Sequence, residues 1–177
     1  MFLIKDLRKK NFRIPGTPKW FSITLTSLGP SGTLPIRVLA MKATILLALA
    51  TFLRVSEIAS IDFSSVKQSD TRIVFSLSEL RKWQRTGSLQ SFSLKFLEDD
   101  LICPARTILE YIRRTAHVRG NCTFLFISTV SPYKAVTSST ISHWIKESLS
   151  KSGVYSNFSA LIIARSKRRA IGLVGEE

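Results

Sequence analysis

Residues 35–54, PIRVLAMKATILLALATFLR, limit more than any other stretch what this chain can become. Pro35 suits the first turn of a helix, and Leu39, Leu46, Leu47, Ala50 and Leu53 follow at helical spacing. The apolar residues wrap nearly the whole circumference. Such a helix has no polar face to turn to water, so it belongs at the centre of a core. Its most apolar part, residues 43–53, reaches only about half the length a bilayer requires and is bracketed by Lys42 and Arg54. No membrane span is expected.

The run ends in an arginine, and three residues later comes a glutamate. A buried guanidinium costs desolvation unless it is paired or its head faces a polar cleft. If the helix continues, Arg54 and Glu57 share a face. Two readings stay open at this point. In one, the pair is an ordinary salt bridge of a core helix. In the other, Glu57 steadies a guanidinium whose remaining donors are free to grip a carboxylate or phosphate.

The rest of the chain is basic: its 177 residues carry a formal charge of +14, with a pI near 10.4. The cations are spread along the whole length. This excess favours a polyanionic partner, and nucleic acid is the commonest. Ribosomal-type proteins and binders of anionic membranes are also this basic. Cys103 and Cys122 stand alone, without CxxC spacing or a histidine pair, so two reduced, packed thiols are expected rather than a metal site. The first residues, Met1 to Ile4 followed by Lys5, are too short for a signal-peptide core. An intracellular protein is expected.

Patterning divides the chain into a basic arm (1–19), a folded region (20–160) and a basic tail (161–177). A short amphipathic helix is expected over 20–28, ended by Gly29 and Pro30. After the central helix, a helical turn over 54–61 leads to Asp62. Residues 71–77 and 89–94 read as two strands of a β-hairpin with a long basic loop containing Arg81, Lys82 and Arg85. A helix over 105–115 follows, with Pro104 in its first turn and Ile108, Leu109 and Ile112 inward. Residues 123–127 form a short buried extended run. Thr137 or Ser138 caps a last helix through Ile141, Trp144, Ile145 and Leu149, stopping near Gly153. The expected fold is mainly α with a small β-hairpin, an α+β arrangement.

The stretch Thr51-Phe-Leu-Arg-Val-Ser-Glu-Ile-Ala-Ser-Ile resembles the first arginine box of tyrosine recombinases, the phage-integrase class of DNA breaking-and-rejoining enzymes. Leu53, Arg54, Ser56, Glu57 and Ile58 match, and Phe52 stands where glycine is common. The resemblance continues in order. The basic hairpin loop is similar to the one that carries a catalytic lysine in that family, which makes Lys82 the candidate, with Lys95 and Lys67 as weaker ones. The block from Leu101 to Tyr111, the run Leu125-Phe-Ile-Ser and the block from Pro132 to Lys146 resemble recombinase domains of eukaryotic mobile elements. The resemblance implies a DNA breaking-rejoining catalytic core, a DNA partner, self-association on DNA, nuclear residence and no metal or other cofactor. It assigns catalytic positions to Arg54 and Lys82 and a supporting one to Glu57. In the family a tyrosine attacks the phosphodiester, while two arginines and a histidine stabilise the transition state and a lysine protonates the leaving oxygen.

The resemblance stops near Leu161. Leu161 and Ala164 hold the positions of the family's histidine and second arginine, and Arg165 comes one residue late, a turn of about 100° on a helix. No tyrosine follows. A truncated, catalytically dead domain is therefore expected. Tyr111, Tyr133 and Tyr155 precede this point and read as packing residues with wet hydroxyls. His117 and His143 read as surface groups. The rival reading is a non-enzymatic basic nucleic-acid-binding domain, or a structural remnant, whose arginine box is coincidence.

Overall fold

The computed structural model describes residues 25–26, 28–78 and 89–151. The basic arm, most of the expected 20–28 helix, the loop bearing Lys82 and the tail from 161 lie outside the described residues. Among the described residues, four α-helices and a three-stranded antiparallel sheet make up a mixed α/β arrangement. They are α1 (Ile36–Thr51), α2 (Val55–Ala59), β1 (Lys67–Gln68), β2 (Arg72–Ser76), β3 (Ser91–Lys95), α3 (Pro104–Thr115) and α4 (Ser138–Lys151).

Helix α1 is central, as its all-round apolar pattern requires. Residues Leu39 to Leu49 are buried without interruption. Each large aliphatic side chain there contributes about 1.5–3 kcal/mol by leaving water. The two threonines of the helix satisfy their hydroxyls within it: Thr44 Oγ1 donates to the Ala40 carbonyl at 2.8 Å and Thr51 Oγ1 to that of Leu47 at 2.7 Å. Helices α3 and α4 pack against α1, and α2 packs against α4.

Pro104 opens α3 at its first turn. The inward face differs in part from expectation. Ile108 is fully buried, but Leu109 and Ile112 are only half-buried, and Thr107, Tyr111 and Thr115 take the innermost places. The stripe is centred about one residue away from the one that hydrophobicity alone suggests. Thr137 caps α4 as expected, its Oγ1 accepting from the Thr140 N–H at 3.3 Å.

The sheet runs β1-β2-β3. Strand β1 is an addition to the expected hairpin: Lys67 lies opposite Val74 and Gln68 opposite Ile73. Two exposed polar residues carry no alternation that could have marked it. Ile73, Phe75, Phe92 and Leu94 face the core, and the Phe75 and Phe92 rings stack with centroids 5.7 Å apart. The buried run of Leu125, Phe126 and Ile127 doubles back through a turn containing a cis Ser131–Pro132 bond. It then pairs with residues 134–136: the Ser128 N–H donates to the Lys134 carbonyl and the Val136 N–H to that of Phe126.

Candidate functional site

The site begins where α1 stops. Phe52 adopts the left-handed conformation (φ 54°, ψ 27°), and its N–H donates to the Ala48 carbonyl at 2.9 Å. That is a helix-ending geometry normally given to glycine. Leu53 is then buried, and Arg54 is extended (φ −71°, ψ 156°), forming the N-cap of α2. The Arg54 carbonyl accepts the first helical bond from the Ile58 N–H at 2.9 Å.

Glu57 does not hold the arginine by its head. Its Oε2 accepts from the Arg54 backbone N–H at 2.8 Å, the reach-back contact of a capping box. A guanidinium has no acceptor with which to return the favour. The Arg54 side chain is exposed, and among the described residues its guanidinium has no hydrogen-bond or ion-pair partner. This differs from the expected pairing of the two side chains on one helix face. The helix ends at Thr51, three residues before Arg54, so the desolvation that would demand a counter-ion never arises. The backbone at Arg54 is fixed, and the charge is left facing solvent.

Helix α2 is stitched to the end of β2. The Ser78 N–H donates to the Ser60 carbonyl at 2.7 Å and the Asp62 N–H to that of Ser76 at 3.0 Å, and Ile61 bridges Leu77. The segment 79–88 thus departs from a strand end tied to the helix that Arg54 caps. Lys82, with Arg81 and Arg85, lies outside the described residues. Lys67 is on β1, and Lys95 closes β3 opposite Arg72, at the end of the hairpin remote from that segment. Both are exposed.

Two cations that the sequence pattern does not mark as buried, Lys42 and Arg119, lie in the core. Lys42, within α1, is 1 % exposed, and its Nζ donates to the Gly29 carbonyl at 2.7 Å. Burial lowers its pKa to about 8, against a smaller opposing pull from Asp99. Arg119 is 4 % exposed. Its Nη1 donates to the Phe124 carbonyl at 2.6 Å, and its Nη2 to Thr115 Oγ1 at 2.9 Å and the Leu125 carbonyl at 3.0 Å. Burial lowers the Arg119 pKa, with the nearby Tyr111 hydroxyl opposing. The only sequence signal for Lys42 was its place inside an otherwise apolar helix. Arg119 had none, because its partners are backbone carbonyls.

Tyr111 does not have a wet hydroxyl. It is fully buried, and its hydroxyl donates to the Ile127 carbonyl at 3.3 Å and accepts from the Ile127 N–H at 3.1 Å. A phenol enclosed in this way has no path to an external phosphate. Tyr133, His117 and His143 are exposed, with His143 Nε2 3.7 Å from Glu147, and Tyr155 lies outside the described residues. Cys103 and Cys122 are free thiols, Cys103 buried with its sulfur accepting from the Leu97 N–H. Among the described residues no group of three His, Cys, Asp or Glu side chains could hold a metal ion, and no helix is long and apolar enough to cross a membrane. No family model, no curated protein and no solved structure matches this chain.

Proposed function

We propose that this chain is a DNA-binding domain of the tyrosine-recombinase type that has lost strand cleavage. One observation carries the reading. Arg54, in a sequence that resembles the family's first arginine box, presents from a backbone locked by Glu57 an exposed guanidinium that no described residue pairs. A solvated guanidinium is suited to bidentate contact with a phosphate, since its planar fork presents two parallel donors. The stitching of α2 to the end of β2 supports the same reading, because it brings the Arg54 helix to the root of the segment containing Lys82. The charge of +14 supplies the long-range attraction.

In an active enzyme of this type, fixed cations stabilise the charge that builds on the phosphorus as a tyrosine attacks. Here Leu161 and Ala164 stand where the resemblance calls for a histidine and an arginine. An aliphatic side chain can neither donate to a phosphate oxygen nor move a proton. Losing members of a cooperative catalytic set costs orders of magnitude in rate, so the retained chemistry is phosphate binding. Nuclear residence and self-association on DNA belong to the same proposal.

The test is a salt titration of the full chain against nicked and intact duplex DNA, with a gel assay for a covalent adduct. Arg54→Ala should weaken binding to nicked DNA by roughly tenfold or more, the effect of one charge-assisted contact. It should leave unfolding within about 0.5 kcal/mol of the parent, as for other exposed sites. Unchanged affinity in the variant would sink the arginine-box reading, and a covalent adduct would sink the loss of cleavage.

A further inference from the structure

The sheet turns one face to the core and the other to water. On the outer face Arg72, Val74 and Ser76 of β2 lie across from Lys95, Ser93 and Ser91 of β3, and Lys67 of β1 lies across from Val74. Three cations therefore share this face, and the register sets Arg72 directly opposite Lys95. Like charges directly opposite in an antiparallel pair repel each other. None of the three has an ion-pair partner among the described residues. The nearby carboxylates, Asp70 in the β1–β2 turn and Glu98 just after β3, make no ion pair with them.

A sheet under selection for stability alone would set a glutamate or threonine against one of these cations. An anion lying across both strands instead turns the repulsion into a two-sided attraction. At the other end of the face, the Ser76 and Ser91 hydroxyls are 3.1 Å apart and offer neutral donors. No aromatic side chain of β1, β2 or β3 is on the outer face, since Phe75 and Phe92 point into the core. Single-stranded nucleic acid is held largely by base stacking on aromatic side chains, and lipid surfaces by inserted apolar residues. Among the described residues this face has no aromatic side chain and one half-buried aliphatic one, Val74, and what it chiefly offers is positive charge and hydroxyls.

We infer that the outer face of the sheet, through Lys67, Arg72 and Lys95, grips the phosphate backbone of duplex DNA as a contact separate from Arg54. The inference rests on the DNA-binding reading above. It adds a sequence-independent contact, one that positions a duplex and reads no bases.

The experiment compares the full chain with the triple variant Lys67→Gln/Arg72→Gln/Lys95→Gln and the control Lys134→Gln/Lys146→Gln, whose positions are exposed and off the sheet. Affinity for an intact duplex is measured by fluorescence anisotropy across a salt series. The triple variant should flatten the slope of log Kobs against log salt by about 2.7, for three lost phosphate contacts. The control should flatten it much less per charge removed. The triple variant should also resist urea at least as well as the parent, because a cross-strand repulsion is gone.

Equal flattening per charge in the control would overturn the inference, since net charge alone would then account for it. So would a fall in stability, which would make the cations structural. Loss of binding to phosphatidylserine vesicles with duplex binding intact would assign the face to lipid and overturn it as well. An unchanged triple variant beside a weakened Arg54→Ala would remove the sheet contact alone. A parent chain that binds no duplex at low salt would remove both readings together.

Discussion

Arg119 lays its guanidinium over the Phe63 ring, 4.2 Å from the ring centre. It lies in the core, between the turn after α3 and the short 3-10 turn that follows α2, and no carboxylate among the described residues neutralises it. Its charge is spread over the Phe124 and Leu125 carbonyls, the Thr115 hydroxyl and the ring face, with Nε left without a partner. This is a planar fork used as a structural clamp. It joins the 124–125 backbone, which Asp62 bridges at Phe124, and the Phe63 ring to the end of α3.

Arg119→Met should lower stability by about 3 kcal/mol, since it strands the Phe124 and Leu125 carbonyls in the core. Arg119→Lys should recover less than half of that, because an ammonium cannot match the planar fork. Urea unfolding of both variants checks this. A methionine variant as stable as the parent would show the clamp to be dispensable.

Tyr111→Phe should cost about 1–3 kcal/mol, because the Ile127 N–H and carbonyl both lose their hydroxyl partner in the core. Burial also raises the Tyr111 pKa. A phenol whose folded pKa lies above its unfolded value contributes stability that is complete below about pH 10 and lost as pH rises further. The parent should therefore lose stability above about pH 10 more steeply than the phenylalanine variant, as followed by thermal unfolding against pH.

Lys42 acts in the opposite direction. Its folded pKa of about 8 lies below the ordinary value of 10.5. Between the two the unfolded chain binds more protons, so stability rises with pH across that window and is lost as pH falls through about 8. The parent should gain on the order of 2–3 kcal/mol from pH 8 towards pH 10 through this group. Lys42→Met should abolish that rise. Parallel pH profiles for the two proteins would show that Lys42 is solvated.

Phe52 occupies a backbone region that costs an L side chain roughly 1–2 kcal/mol. Phe52→Gly and Phe52→Ala both delete the ring, but only glycine relieves the backbone. The glycine variant should be the more stable by about 1 kcal/mol, the reverse of the order inside a helix. Differential scanning calorimetry of the pair reads this directly. Alanine ranking first would show that the left-handed cap does not persist in solution.

The central helix was legible because an apolar circumference admits one location, and residues Leu39 to Leu49 are indeed buried without a break. Strands β2 and β3 were legible from alternation, with small shifts at their ends, and Pro104 and Thr137 marked the starts of α3 and α4. Each of these is a local rule, in which the residue and its neighbours within a few positions carry the information. Strand β1 was not legible, because Lys67 and Gln68 become a strand only by pairing with β2.

The stretch from Phe52 to Glu57 shows where local reasoning ends. Spacing put Arg54 and Glu57 within reach of each other, and they do meet, but through the Arg54 N–H. Whether the helix runs through Arg54 or stops at Phe52 depends on a left-handed cap that a phenylalanine does not announce. The same holds for Arg119, whose partners are carbonyls of a segment that tertiary packing brings alongside, and for the Arg72–Lys95 pair, which exists only in one strand register. The sequence by itself determined the central helix and its buried residues, the β2–β3 pair and the starts of α3 and α4, because hydrophobic periodicity and capping are properties of neighbours. Only the tertiary structure decided which charges are paired, clamped or left facing solvent, because that depends on backbone groups and strand registers contributed from elsewhere in the chain.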